Sequence, residues 1–355
     1  MDIKKLDWFR FDYHGLFPNR VLSQAWPIFP DVNTAIKVIA NERVPISNYW
    51  RLQSIFIEKF DVPEWAKGRY YYRGQSDPSY SFAPTIFRNL PKDQGLIAEK
   101  RVLQHRLDQQ KHFVKKIFNN PEILESLPGC KSWTYPQKLA AARHYGSNSE
   151  MLDFTADPEV AAFFAARLPK TSQQEIGVIY ELDLSTLAII PGMGGVMRTD
   201  EGFNILKNAT FGIMELLFIS ADATGIKPMS ISIKFGTKVP FLFSCIQVPE
   251  VSRISAQKGI FLQLKPYEEA HLVEYHVEAS LLWHLLGFLS RKMCFYQTGK
   301  YTNSKSNITE HHLMPPDDPI QKLIGNESAS HKSTPTATKT CIRARTDPAR
   351  TDSTQ

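Results

Sequence analysis

Three short blocks in fixed order constrain this chain more than its composition does. The first is an aromatic run broken by an arginine-glycine pair, Tyr70-Tyr71-Tyr72-Arg73-Gly74-Gln75. The second is His144-Tyr145-Gly146 followed by Leu152-Asp153-Phe154-Thr155-Ala156-Asp157-Pro158. The third is Arg253-Ile254-Ser255-Ala256-Gln257-Lys258-Gly259-Ile260-Phe261. The first block is β-prone until Gly74 and Asp77-Pro78 turn it, so Arg73 is expected near the end of a strand. In the second block Asp157 is a good helix N-cap, Pro158 takes the favoured first helical position, and Val160, Ala161, Phe163, Phe164 and Ala165 supply an apolar helix.

The periodicity between the blocks predicts further elements. From Leu96 to Phe118 apolar residues recur at spacings of three and four with Lys, Arg and Gln between them, which predicts an amphipathic helix. A second helix is expected over Pro136 to Tyr145. Val178 to Leu182 and Ile231 to Phe235 read as strands, and Val32, Ala35, Ile36, Ile39 and Ala40 as a short helix. The fold class is therefore α+β: a mixed, mainly antiparallel sheet core with flanking helices. The expected organisation is an N-terminal helical cap over 1–64, a main domain over 65–265, a C-terminal helical extension over 266–300 and a polar, largely disordered tail over 301–355.

A content of 43% hydrophobic and 12% aromatic residues is enough to bury a large core. The formal charge of +6 is weak evidence for a polyanion partner, because the last 25 residues hold five Lys/Arg against two Asp. No signal-peptide pattern opens the chain, and its apolar runs are broken by Lys207, Glu215 or His284, so a cytoplasmic protein with no membrane partner is expected. The four cysteines stand singly, which predicts reduced structural thiols, and the scattered histidines lack a metal-binding pattern, so no metal is expected. Gly192-Met193-Gly194-Gly195 lacks the Lys-Ser/Thr of a phosphate loop and reads as a plain loop.

The order of blocks resembles the FRG domain family, over about residues 65 to 262. Ser147-Asn148-Ser149-Glu150 departs from the apolar-Pro-Thr-Arg usual there, and Glu150 reverses a charge. Tyr72-Arg73-Gly74 and the Thr155-to-Ala165 segment are also similar to the first two motifs of arginine-type ADP-ribosyltransferases. That similarity implies a transferase-like fold and a groove for NAD as substrate. It further implies that Arg73, Gly74, Tyr145, Asp153 and Thr155 bind the nucleotide, with His144 and Gln257 at the catalytic positions.

Arg73 carries two readings: a bidentate grip on phosphate, with Gly74 letting the ligand approach, or a structural ion pair with Asp153. Gln257 stands where such transferases carry a Glu, and Glu268 and Glu269 lie further on. An amide there supplies no negative charge to a ribosyl cation. Arg253 is a candidate bridge to Asp153. Two functions remain open: an ADP-ribosyltransferase or NAD glycohydrolase with a nucleic-acid or protein acceptor, and a non-catalytic module recognising a nucleotide signal, RNA or a protein partner.

Overall fold

The computed structural model describes residues 5–17, 20–41, 69–167, 175–184, 214–222, 225–233, 241–248, 251–266, 272–274, 276–297, 308–315 and 318–324. The glycine-rich stretch at 192–195, Glu268, Glu269 and the tail beyond 331 lie outside them.

The architecture is α+β, as the alternation of β-prone and helical segments predicts. Its strands are β1 (Trp8–Phe17), β2 (Arg20–Phe29), β3 (Tyr70–Gln75), β4 (Met151–Thr155), β5 (Ile176–Asp183), β6 (Met214–Asp222), β7 (Gly225–Ile233), β8 (Phe241–Ile246), β9 (Gly259–Pro266) and β10 (Arg291–Tyr296). Eight of them form one mixed sheet in the order β1-β2-β10-β5-β3-β4-β9-β8, while β6 and β7 pair separately. In the large sheet only β10 with β2 is parallel. The main helices are α1 (Val32–Asn41), α2 (Leu96–Phe118), α3 (Pro121–Ser126), α4 (Tyr135–Arg143), α5 (Pro158–Ala165), α6 (Ser252–Ala256), α7 (His276–Leu289) and the short α8 (Glu310–Leu313).

Each helix that bears on the site begins where local chemistry starts it. Thr134 and Gln137 form a capping box at α4, and the Asp157 side chain accepts the Glu159 N–H at 2.9 Å to open α5. One sheet face buries Leu152, Phe154, Tyr180 and Trp283. The other buries Ala161, Ala162 and Ala165 of α5 together with Val32, Ala35 and Ile39 of α1. A third cluster joins α2, α4 and α6 through Ile117, Leu139 and Ile254, and Ile320 completes it.

The N-terminal segment expected as a helical cap supplies α1 and, in addition, two strands of the main sheet. The segment expected as a helical extension supplies α7 and also β10, which sits inside the sheet between β2 and β5. Residues 308–315 and 318–324 pack on the body, with Leu313, Asp318 and Ile320 almost fully buried. Cys130, Cys245 and Cys294 form no disulfide among the described residues. Among the described residues no helix is long and apolar enough to cross a membrane, and no three His, Cys, Asp or Glu side chains are grouped to hold a metal ion.

Candidate functional site

The site opens where two strands part. β3 follows β5 along its whole length and β4 follows β9, yet β3 and β4 pair in register only at Tyr72 and Thr155. Beyond that pair a cleft of about 460 Å³ separates Arg73, Gly74 and Gln75 from Asp153 and Phe154, with Val160, Ala161 and Phe164 of α5 along one side. The guanidinium of Arg73 spans the gap. Its Nη1 donates to the Asp153 carbonyl at 2.7 Å and lies 2.9 Å from Asp153 Oδ1. A side chain thus replaces the ladder hydrogen bonds that the diverging backbones cannot make.

The cleft gathers Arg73, Gly74, His144, Asp153, Thr155 and Gln257, residues up to 184 positions apart, together with Arg88, Tyr72, Tyr80 and Arg167. Tyr145 is not among its lining residues. That tyrosine is buried on the far side of the block, where its hydroxyl donates to Asp318 at 2.5 Å, and burial followed by the Asp318 charge pushes its pKa above the usual phenol range. Arg253 does not reach Asp153: it lies over the Tyr145 ring and donates to Gln321 at 3.2 Å. Both therefore serve to dock the C-terminal segment.

Charge is concentrated around one carboxylate. Arg143 Nη2 approaches Asp153 Oδ1 at 3.3 Å, so Arg73 and Arg143 share that oxygen. Burial alone would raise the Asp153 pKa, but the two guanidiniums override it and hold the carboxyl below the usual carboxylate range. Arg88 adds a third cation, fixed by its Nε donating to the Ala83 carbonyl at 2.8 Å. Burial, reinforced by Arg73 and Arg143, brings its pKa down to about 10. Three guanidiniums consequently face one carboxylate, an imbalance of two positive charges. Arg73 Nε, Arg88 Nη2 and Arg143 Nε are buried without an acceptor. Arg167, at the rim, is paired with Glu310 at 2.7 Å.

His144 packs edge-on against Phe261, with ring centroids 5.1 Å apart. Burial lowers its pKa to about 4 against the opposing pull of Asp153, so the imidazole is neutral near pH 7, and its Nε2 is buried without a partner. Thr155 is already committed. Its hydroxyl donates to the Gln257 carbonyl at 2.7 Å and accepts the Asp157 N–H at 3.0 Å.

Gln257 is also engaged, donating its side-chain N–H to the Leu313 carbonyl at 2.8 Å from a nearly buried position. Gln257→Glu should therefore destabilise the fold by about 1–3 kcal/mol, since the carboxylate would face a carbonyl oxygen and leave it without a donor. Urea denaturation of both proteins reads this directly, and unchanged stability would show that the amide bond to Leu313 matters little.

Gly74 and the start of α5 have roles other than those the motif suggests. A Cβ on Gly74 would sit 1.8 Å from the Ala161 carbonyl oxygen, so the glycine admits the helix backbone to the strand. The N-terminus of α5 is filled by the Asp157 carboxylate, itself paired with Lys258 at 2.8 Å. The capping position is thus already taken by a carboxylate, and the positive charge of the cleft lies with the arginines instead.

Sequence reading missed Arg88 and Arg143. Arg143 directly precedes His144 and could have been included with its block, whereas nothing local marks Arg88. Ser149, in the stretch that departs from the family pattern, accounts for its position: its N–H donates to Thr85 Oγ1 at 2.8 Å and its carbonyl accepts from Ile86 N, pinning the turn that carries Arg88. Glu150 is absent from the cleft lining and accepts from Gln263.

Fold and cleft together define an α+β domain with an arginine-lined cleft at a parting of strands. The model of the FRG domain matches residues 68–174, and the chain carries an FRG domain. That match contains Arg73, Arg88, Arg143, His144, Asp153 and Thr155 and ends before Gln257. No curated protein and no solved structure matches the chain.

Proposed function

We propose that the cleft of the FRG domain binds a nucleotide, of which NAD is the type implied by the similarity to ADP-ribosyltransferases, through its phosphates. The observation that carries this reading is the excess of guanidinium over carboxylate: Arg73, Arg88 and Arg143 around Asp153 alone. Unbalanced, partly desolvated cations are unfavourable until an anion joins them, and planar guanidiniums match phosphate oxygens. The volume of about 460 Å³ is that of a small-molecule pocket. Tyr72, Tyr80 and Phe164 provide aromatic surface for a base or nicotinamide.

Recognition without group transfer is the form of this reading that the geometry favours. Asp153 is the sole carboxylate among the described residues lining the cleft, and it is already paired; Gln257 and Thr155 are held by structural hydrogen bonds. Among the described lining residues a ribosyl cation would find no carboxylate other than one already balanced by Arg73 and Arg143. Calorimetric titration of NAD, ADP and pyrophosphate into the full chain, with nicotinamide release followed in parallel, tests both parts. Binding that weakens roughly tenfold or more in Arg88→Ala, without nicotinamide release, is expected. Failure of all three ligands to bind would remove the proposal, and release of nicotinamide by the wild type would restore the enzymatic alternative.

A further inference from the structure

We infer that Asp153 sets the specificity of this cleft, selecting anions that carry sugar hydroxyls beside the phosphate over bare phosphates. The inference rests on the nucleotide reading above and names what that reading leaves open. Asp153 lies on β4 at the parting from β3, and its side chain is 41% exposed although Arg73 opposite it is nearly buried. The exposed part faces the cleft that it lines.

Its two oxygens are used unequally. Arg73 Nη1 at 2.9 Å and Arg143 Nη2 at 3.3 Å both make their contact with Oδ1, which leaves Oδ2 as the oxygen that neither guanidinium is seated on. The carboxylate stays ionised, because the paired guanidiniums outweigh its burial. The cleft therefore presents a fixed, negatively charged acceptor beside a cationic cluster.

That juxtaposition discriminates between ligands. A phosphate oxygen drawn to Arg88 and the arginine pair meets repulsion where it approaches Oδ2, and a bare anion has nothing else to place there. A ribose next to the phosphate places O–H donors at that oxygen instead, and hydrogen bonds to an ionised acceptor are about twice as strong as neutral ones. The neighbouring His144 is neutral near pH 7 and adds no cation to offset the carboxylate. Asp153 thus acts against one class of anion while favouring another, as specific sites commonly do.

The test compares ADP, its dideoxy analogue lacking both ribose hydroxyls, and pyrophosphate by calorimetry on the full chain. Wild type is expected to bind ADP roughly tenfold or more tighter than the dideoxy compound. In Asp153→Asn that ratio should fall towards one while pyrophosphate binds more tightly than to wild type. The ratio of ADP to dideoxy affinity is taken within one protein, so a general loss of stability does not imitate it; the pyrophosphate affinities are compared per folded protein, the folded fraction being read from the titration stoichiometry, and the wild-type ratio alone decides if the variant fails to fold. Equal wild-type affinities for ADP and the dideoxy compound overturn the inference and leave the phosphate site standing. Weaker pyrophosphate binding by Asp153→Asn also overturns it, by showing that Asp153 serves only to order the arginines. No binding of any of the three by wild type removes the site and the inference together.

Discussion

One added methyl group, Gly74→Ala, is expected to destabilise the protein by about 3 kcal/mol or more, at or beyond the upper end of ordinary overpacking. The reason is the depth at which α5 rests on the sheet. The new Cβ would lie 1.8 Å from the Ala161 carbonyl oxygen and 2.8 Å from the Ala165 nitrogen, both backbone atoms that no rotamer change can move. A Cβ on Gly177 of β5 would make a second clash of the same kind, 2.4 Å from the Ala165 oxygen. Nor can the helix retreat, because Ala161, Ala162 and Ala165 pack with Val32, Ala35 and Ile39 of α1 in one buried cluster. Interiors packed this densely transmit strain, and Val160, Ala161 and Phe164 also line the cleft, so the variant should lose ligand binding along with stability. Equilibrium denaturation in urea measures the first effect. A Gly74→Ala protein as stable as wild type would mean that α5 does not rest on β3 as described.

What was legible in the sequence was whatever is decided locally. The 3.6-residue period fixed α2 at Leu96–Phe118, and the Asp157-Pro158 start fixed α5, because capping and amphipathicity act within one or two turns. The cleft was legible only through its blocks: Arg73 and Asp153 both stood out, but which way Arg73 points depends on the pairing of Tyr72 with Thr155 and Glu181, a long-range register. β10 was illegible for a related reason. It begins with Arg291 and Lys292, residue types that are almost never fully buried unless paired, yet Arg291 pairs with buried Glu181 at 3.2 Å and Lys292 lies among Phe11, Trp26 and Tyr180 at 5.1–5.8 Å from their ring centroids. Its partners come from β1, β2 and β5, none of them near in sequence. The docking of 308–315 and 318–324 is hidden in the same way, since Asp318 becomes a core residue only by meeting Tyr145.

Arg73→Ala is expected to have two separable effects, because the side chain both bridges strands and faces the ligand. Structurally it removes one partner of a pair whose arginine is 9% exposed, leaving the Asp153 carbonyl without its side-chain donor and the carboxylate with Arg143 alone. Breaking a fully buried pair costs about 3–5 kcal/mol. Water can reach the 41%-exposed Asp153 side chain, so the lower end, about 3 kcal/mol, is an upper bound here. Functionally it deletes one of three cations and the one that spans the cleft, and losing a charge-assisted contact to phosphate should weaken ADP binding by roughly a hundredfold. Arg73→Lys separates the two effects. An ammonium keeps the charge but lacks the planar fork that reaches the Asp153 carbonyl and carboxylate together, so part of the stability should return while affinity remains well below wild type. Denaturation and calorimetry on the three proteins, the latter at two salt concentrations, give the answer. Affinity retained in Arg73→Ala would place the phosphates on Arg88 and leave Arg73 as the strut between β3 and β4, the role that its ion pair with Asp153 already performs.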